Sequence, residues 1–552
     1  MIREIYRNIN YLRMLVKHIN KVRVIKNNSF CHVVFKGNKN LITFLGFKNS
    51  KEEADEIIEN GIKILDLRVK SEFYDERFWN ECPKYKNRYD KNKVYFQAKT
   101  FERTDIKYLW EIGRLQYLVI FAKAYRETGN KIYLDKVDKA LEGFIENTSY
   151  YKGVQWQCPM DVALRLVSLT SLFFLLDLSV DDYDGILLKH LSYMLYNDEW
   201  SQHYTGNHHF ICVCGILYAL TSLTGLEDLK SFYYNRFKYE VGNQFNADGG
   251  NFESSISYHY FVSEAIHVIQ SLYEDFIGKV SNELTFELNK PTKYIDQMES
   301  RKSDEEIRSI LGKIDVFSAW HMRPDGTFCL IGDNDSGFFL NKNNIKQVSS
   351  SYGVICAYEN NLSNDVSLYN KKHVKEISID ESINFQSSKY FPDFGSLVVR
   401  SENCHVTISL AKVGQCGKGG HDHLDLLHCE IWINGKTFGK DPGVSSYTYS
   451  LSNRNRYRSS FAHNTPVNLD LISDLSLPFR LNKPKFHVDF LSVSSDEIII
   501  KVTVIGKYKF VRKIKAGLDK TISILDYYND DFLFKPPFDS TVKACDIYGE
   551  NV

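Results

Sequence analysis

The spacing of apolar residues changes once along this chain, and that change limits the folds open to it. Between about residues 100 and 322, apolar residues recur every three or four positions, which predicts a series of helices. From residue 386 onward they alternate in short runs, for example 395–401 and 497–505, which predicts strands separated by turns. We therefore predict an α+β multidomain protein, with a helical part followed by an antiparallel β-sandwich.

The helical part contains many consecutive helices. A first helix is expected over 105–130, ended by Gly129. Further helices are predicted at 131–147, 159–177, 183–197, 207–223, 226–242, 256–277 and 304–321. Several are apolar nearly all round, as in 210–220, which predicts burial on more than one side. Such a series favours an (α/α) toroid of helical hairpins over a small bundle.

A chain of 552 residues is too long for one compact core. We predict four regions: a mixed N-terminal lead-in (1–75), the toroid (76–340), a polar linker (341–385) and the sandwich (386–552). The lead-in is expected to hold short strands at 32–37 and 41–47 and a helix at 52–65. In the sandwich, Asn434-Gly435 between two alternating runs predicts a type I′ hairpin turn.

Charge and composition narrow the functional classes. Lys+Arg and Asp+Glu both number 69, so no overall field favours nucleic acid or an anionic membrane. The 11 cysteines lack disulfide or metal-knuckle spacing, which predicts buried free thiols in a reducing compartment. The basic N-terminus has no apolar signal core, and no stretch approaches 18 apolar residues. These features predict no export signal and no integral membrane segment, and they favour a cytoplasmic location.

Two candidate motifs lie at predicted helix starts. The first is Gly206-Asn207-His208-His209, where a helix N-terminus could bind a sugar carboxylate. Its alternative interpretation is a plain N-cap with two surface histidines. The second is 248–260, where Tyr258 could act as base or acid if neighbours adjust its pKa. Its alternative interpretation is a core tyrosine.

Two further motifs lie in the predicted sandwich. His421, His423 and Asp425 alternate, and in a strand they would share one face. Two imidazoles with carboxylates suit a Zn²⁺ or catalytic site. The run 454–458 contains three arginines, whose forked groups match carboxylates and sulfates, although a solvated edge strand would also explain them. Trp156 and Arg165 could stack on and grip a sugar acid, or form a core tryptophan with a surface arginine.

Several other functions lose support. The sequence 332–337 superficially resembles a calcium loop, but the twelfth position from Asp333 is Asn344, which excludes an EF-hand. There is no P-loop, dinucleotide fingerprint, serine-hydrolase elbow or H-E-x-x-H zinc motif. No organic cofactor and no nucleic-acid partner are therefore expected.

Taken in order, five motifs resemble the heparinase II/III-like polysaccharide lyases, within the alginate lyase and heparinase superfamily. They are Asn207-His208, Glu253 to His259, Gly420 to Asp425, Asp441-Pro442-Gly443, and Ala462 to Thr465. The resemblance extends over roughly residues 55–490. It implies a toroid followed by a sandwich, with a cleft between them that cleaves an acidic polysaccharide or oligosaccharide by β-elimination at a uronic acid.

The resemblance also implies roles for individual residues. Asn207 and His208 hold the carboxylate, with His209 as the alternative histidine for this role. Tyr258 removes the C5 proton, donates one to the departing O4, or does both. His421 is the second base or acid, and arginine and histidine neighbours are expected to lower the pKa of Tyr258. The substrate-binding candidates are Trp156, Arg165, His209, Glu253, Arg454 and Arg458. The metal candidates are His423, Asp441 and His463, which would hold a structural Zn²⁺.

Some alternatives stay open at this point. Relatives are usually exported, so a periplasmic or secreted location stands beside the cytoplasmic one. A glycoside hydrolase on a helical toroid would need two carboxylates across the scissile bond. A glycan-binding or capsule-assembly protein would keep the fold without turnover. The glycan, endo or exo action, and the oligomeric state are not specified by the sequence.

Overall fold

The computed structural model describes residues 30, 32–95, 103–202, 205–274, 276, 288, 290–340, 371–380, 382–517 and 519–537. The lead-in up to residue 29 and most of the predicted linker 341–385 lie outside the described residues. Contacts between Cα atoms divide the chain into two compact units. The first comprises Met1–Asn243, Glu264–Ile307 and Phe338–Asn344. The second comprises Gln244–Ser263, Arg308–Gly337 and Ile345–Val552.

Helices dominate the first unit, and helices Ile256–Leu272 and Asp304–His321 contribute residues to both units. The helices before residue 340 are Leu41–Leu45, Ser50–Asn60, Glu76–Asn80, Lys107–Gly113, Gln116–Thr128, Lys131–Asn147, Pro159–Leu175, Asp182–Tyr196, Asn207–Thr221, Glu227–Gln244, Ile256–Leu272, Thr292–Gln297 and Asp304–His321. Pro159–Leu175 and Asn207–Thr221 pack against each other and are buried along nearly their whole length. Their apolar side chains on all faces explain this burial, as the sequence predicted.

Short strand pairs accompany these helices, and three local predictions need correction. The strand predicted over 41–47 is replaced by the helix Leu41–Leu45, because Leu41 and Leu45 bury one helical face. The helix predicted over 52–65 ends at Asn60, and strand Ile62–Ile64 follows. The helix predicted over 105–130 is interrupted at Leu115, whose φ of 58° is left-handed.

In the second unit, two five-stranded antiparallel sheets form the sandwich. The first sheet contains Ser387–Phe391, Ser396–Arg400, Cys404–Ser409, Cys429–Ile433 and Lys436–Phe438, paired in chain order. The second contains Lys371–Ser378, Phe486–Val493, Glu497–Val504, Tyr508–Ala516 and Thr521–Tyr528. Asn434 and Gly435 have φ of 45° and 84° between the paired residues Ile433 and Lys436. This is the predicted type I′ hairpin turn.

The first sheet is buried on both faces, and this positions the residues described below. Its inner face shares one apolar core with the second sheet. Its outer face packs on Ile256, Tyr260 and Phe317, which belong to the helical segments grouped with this unit. The strand Ser396–Arg400 is therefore buried at every position. The segment that carries Tyr258 is thus fixed against the sandwich.

Two findings bear on composition. All described cysteines are free, and all except Cys416 are buried, as expected for small apolar side chains. Among the described residues, no helix has the length and apolar character needed to cross a bilayer.

A buried ion pair within the second sheet also binds two neighbouring loops, and its loss should be measurable. Arg512 binds both carboxylate oxygens of Asp526 at 2.7 Å and donates to the carbonyls of Leu427 (2.6 Å) and Asn464 (2.8 Å). We expect Arg512→Met to lower the free energy of unfolding by about 3–5 kcal/mol in urea titrations, because Asp526 stays buried without its partner. Lys515→Met, which removes an exposed ion pair with Glu497, should cost about 1 kcal/mol or less. Equal losses in the two variants would contradict this account.

Candidate catalytic and metal-binding site

Asp333 is the centre of a buried charge cluster in the second unit. Its carboxylate accepts hydrogen bonds from His421 Nδ1 and His423 Nε2, each at 3.0 Å, and from both terminal nitrogens of Arg454. Burial alone would raise the pKa of Asp333, but Arg454 and the two histidines hold it far below its ordinary range. Asp333 is therefore an ionised acceptor that orients both imidazoles.

Asp333 is not among the functional residues predicted from the sequence. Its segment, 332–337, resembles only a calcium loop, and the residue at the twelfth position excludes that motif. The sequence shows only that two aspartates, Asp333 and Asp335, lie between two glycines, and it does not indicate which side chains they bind. Arg454 is 121 positions away along the chain, so its pairing with Asp333 had no local signature.

His421 has a defined tautomer. An ionised carboxylate only accepts, so the 3.0 Å bond to Asp333 places the proton on Nδ1. In the neutral ring the lone pair is therefore on Nε2, which lies 3.6 Å from Glu253 Oε2. The ring is stacked on that of Tyr258, with 3.9 Å between ring centroids. His421 and His423 lie in a loop, not a strand, and they converge because both bind Asp333.

Tyr258 is buried and protonated. Its hydroxyl donates to Asp335 Oδ1 at 3.1 Å and lies 2.9 Å from the hydroxyl of Tyr447. Burial raises the pKa of Tyr258 well above 10, and Asp335 and Tyr447 raise it further. The expectation of a lowered pKa is therefore wrong, because Arg454 is paired with Asp333 and the nearest charge is a carboxylate. A phenol in this state is suited to donate a proton.

His423, Asp441 and His463 are fully buried and their ligand atoms converge. His423 Nδ1 lies 3.2 Å from His463 Nε2 and 3.6 Å from Asp441 Oδ1, and His463 Nε2 lies 3.3 Å from Asp441 Oδ2. Ligands on a tetrahedral Zn²⁺ with bonds of roughly 2.0–2.2 Å lie about 3.3–3.6 Å apart. The spacing of the three groups therefore fits such an ion.

The outer contacts of this triad also fit a cation. His423 binds Asp333 through Nε2, and His463 Nδ1 donates to the carbonyl of Ser459 at 2.9 Å. Both inward nitrogens are thus held in position by second-layer bonds. Asp441 Oδ2 has no hydrogen-bond partner among the described residues. Burial alone would lower the pKa of His423, but Asp333 and Asp441 raise it to about 9, so the triad holds a proton that a metal ion would displace.

In the first unit, the motif Gly206 to His209 begins a helix, but the N-cap residue differs from the predicted Asn207. Gly206 occupies the N-cap, and Asn207 is the first residue of helix Asn207–Thr221. Asn207 is buried, and its Oδ1 accepts the N–H of His208 at 2.9 Å. His208 is partly exposed, and its Nδ1 lies 2.7 Å from Glu199 Oε2.

His209 takes part in an internal network instead of the predicted contact with a sugar. Its Nδ1 lies 2.5 Å from the carbonyl of Asp198, and its Nε2 accepts from Arg236 at 3.2 Å. Arg236 is also paired with Glu240, and all three side chains are fully buried. The network anchors the first turn of the helix that begins at Asn207.

Trp156 and Arg165 also lie inside the first unit. Arg165 is fully buried and donates to the carbonyls of Gly113 and Gln155 and to His190 Nε2. Burial lowers its pKa to about 9. Trp156 is 2% exposed and packs against tyrosine and histidine rings. Both side chains hold the helices together, so neither predicted sugar contact gains support.

The other substrate-binding candidates are similarly enclosed. Residues 451–458 form a short helix instead of an edge strand, and Arg454 binds an internal carboxylate. Arg458 is buried and donates to Asn455 Oδ1 and to the carbonyl of Leu477. Glu253 is buried and accepts from Gln415. Arg454 and Arg458 therefore do not form the predicted basic patch for a substrate anion, because both bind acceptors within the protein.

Comparison with protein families gives two matches that together span most of the chain. The family described as "Heparinase II/III N-terminus" matches residues 16–304. The family described as "Heparinase II/III-like, C-terminal" matches residues 385–483. No curated protein sequence matches the chain.

Solved structures show the fold. A crystal structure of heparinase III is 15% identical in sequence, with a TM-score of 0.51. The matched region covers 87% of this chain and 77% of the heparinase III chain. A crystal structure of a heparan sulfate lyase from Pedobacter heparinus is 14% identical in sequence, with a TM-score of 0.41. The matched region covers 85% of this chain and 66% of the lyase chain. The likeness to heparinase III confirms the predicted (α/α) toroid followed by an antiparallel β-sandwich.

Proposed function

Because this chain belongs to the heparinase II/III family, we propose that it is a polysaccharide lyase that cleaves a uronic-acid-containing glycan by β-elimination. The observation that carries the proposal is the stacked pair of Tyr258 and His421, with Asp333 behind His421. One member of the pair holds a proton and the other has a lone pair. β-Elimination requires one group of each kind.

We assign the base to His421. Its Nε2 takes the proton from C5 of the uronate, and the electrons of that C–H bond form the C4–C5 double bond. Asp333 fixes the other ring nitrogen in its protonated state, which prepares Nε2 as acceptor. The imidazolium formed is stabilised by Asp333 and by Glu253 Oε2, which is 3.6 Å from Nε2.

We assign the acid to Tyr258. The bond between C4 and O4 breaks, its electron pair stays on O4, and the phenol supplies the proton. A raised pKa keeps this proton in place until the leaving group develops charge. Tyr447, 2.9 Å from the same hydroxyl, is placed to pass a replacement proton to Tyr258.

The carboxylate of the sugar must also be neutralised, since the C5 proton is only weakly acidic. Asn207 and His208 are the residues that we propose for this role, on the family resemblance alone. Asn207→Ala should then slow turnover while leaving the tautomer of His421 unchanged.

We propose a structural Zn²⁺ at His423, Asp441 and His463, where it would act as a Lewis acid that neutralises Asp441 and fixes both imidazoles. Purified protein dialysed against a weak chelator is expected to retain about one Zn²⁺ per chain by elemental analysis. His463→Ala should weaken zinc binding by at least about 10–100-fold. The exposed His487→Ala is the matched control and should retain zinc. A wild-type protein without stoichiometric metal after zinc reconstitution would refute this site.

The function is tested with a panel of uronic-acid polysaccharides, followed by ultraviolet absorbance of the conjugated C4–C5 double bond. A rise in absorbance is expected with at least one glycan and identifies its class. New reducing ends without absorbance would indicate hydrolysis and overturn the lyase. Binding of a glycan with neither signal would overturn catalysis in favour of a binding or assembly role.

A further inference from the structure

A second group of metal-ligating side chains lies in the first unit. Among the described residues, Cys158, Glu199 and His208 each bring one ligand atom within 4.8 Å of the others. Cys158 precedes helix Pro159–Leu175, and His208 is the second residue of helix Asn207–Thr221. His208 Nδ1 and Glu199 Oε2 are 2.7 Å apart. A thiol, an imidazole and a carboxylate at this spacing form a donor set suited to Zn²⁺ and related ions.

A buried carboxylate beside the thiol supports the presence of a cation. Asp161 lies three residues after Cys158, in the first turn of the same helix, and is 2% exposed. One of its oxygens binds Arg114 Nε at 2.6 Å, and its Oδ2 has no hydrogen-bond partner among the described residues. Glu199 also brings a carboxylate oxygen within 4.8 Å of the Cys158 sulfur, so two carboxylates lie near the thiol and each attracts a cation.

The accessibility of this cluster differs from that of the buried triad. The side chains of Glu199 and His208 are 27% and 43% exposed, whereas Cys158 is buried. An ion can therefore enter from solvent and meet sulfur at the floor of the site. The 2.7 Å between Glu199 and His208 is a hydrogen-bond distance, so ligation must release that proton and let the pair open to about 3.3 Å. The partial exposure of both side chains leaves room for this movement.

We propose that Cys158, Glu199 and His208 form a second, exchangeable site for a thiophilic divalent cation such as Zn²⁺. Binding transfers the thiol proton and the proton between Glu199 and His208 to solvent, and water completes the coordination. Occupation takes an imidazole nitrogen of His208. An ion bound there would therefore inhibit turnover by removing His208 from the substrate carboxylate, a consequence that rests on the function proposed above.

The binding test uses Co²⁺, which reports thiolate ligation through a charge-transfer band in the near ultraviolet. The triad His423, Asp441 and His463 contains no sulfur, so it gives no such band. We expect the full-length wild-type protein to develop the band with one equivalent of Co²⁺ and to lose it when Zn²⁺ is added. Cys158→Ser should abolish the band, and Glu199→Gln should weaken Co²⁺ binding by at least about tenfold.

Cys416→Ser is the matched control, because Cys416 is the exposed free cysteine among the described residues. This variant should keep the band. Absence of the band in wild type, its persistence in Cys158→Ser or its loss in Cys416→Ser would each overturn the site. None of these measurements requires lyase activity, so they separate failure of this site from failure of the proposed function.

Inhibition is measured separately, with any glycan that the wild type cleaves. Cys158→Ser should need at least about tenfold more Zn²⁺ for half inhibition than wild type. Equal sensitivity of the two proteins would overturn the inhibitory role.

Discussion

Tyr258→Phe is expected to lower the rate of β-elimination by about 10²–10⁴-fold, the range typical for loss of a general acid or base. The variant keeps the ring that stacks on His421 and removes only the hydroxyl that donates to Asp335. The initial rate of ultraviolet absorbance measures turnover, and glycan affinity is measured by calorimetry. Affinity should change little, because the lost group acts on the leaving oxygen in the transition state.

Tyr260→Phe provides the matched control. Tyr260 lies two residues further along the same helix, is also buried, and donates to the carbonyl of Ser318 at 2.7 Å. Its loss should cost about 1 kcal/mol of stability and leave turnover within about threefold of wild type. If Tyr258→Phe kept more than about a tenth of the wild-type rate, the acid would have to be another group.

Asp333→Asn is the second change with a large expected effect, because it acts on stability and catalysis together. The substitution removes the charge that compensates the fully buried Arg454. We expect a loss of about 3–5 kcal/mol in the free energy of unfolding. His421 and His423 would also lose the acceptor that fixes their tautomers, so turnover should fall by about 10²-fold or more. Zinc binding at the triad should weaken by about 10–100-fold.

The pH dependence of this loss has a definite sign. The pKa of Asp333 is lower in the folded protein than in the unfolded chain. Its stabilising contribution is therefore fully present above the unfolded pKa of about 3.9 and is lost as the pH falls toward the folded pKa. The stability difference between wild type and Asp333→Asn should be largest near pH 5, where His423, which Asp333 binds, is protonated in both the folded and the unfolded chain, and it should shrink below about pH 4.

Asp296→Asn is a suitable control for the change in charge, since Asp296 is exposed. It should alter stability by no more than about 0.5 kcal/mol. Urea unfolding at several pH values measures all three proteins. A stability difference that grows as the pH falls below about 4 would contradict the assignment of Asp333 as the ionised partner of Arg454.

Much of the fold could be predicted from the sequence, because helix and strand periods are local properties. The predicted helix 131–147 coincides with Lys131–Asn147, and 304–321 with Asp304–His321. The predictions of secondary structure failed where the segment was short or where the backbone conformation of a single residue interrupted a helix. Residues 41–47 are too few to separate a helix from a strand by period, and Leu115 interrupts a helix whose apolar pattern continues through it.

The sequence by itself determined the family, the order of the motifs and which residue types meet in each of them. Tertiary structure decided which of those residues are enclosed and what they bind. Arg165 and Arg454 look alike in sequence as basic side chains for a sugar acid, yet both are fully buried and paired within the protein. Burial raises the pKa of Tyr258, and its nearest charge, Asp335, which lies 77 positions away along the chain, raises it further. The physical reason is that burial and charge compensation depend on distances in space, and a periodic pattern specifies only which face of an element is apolar.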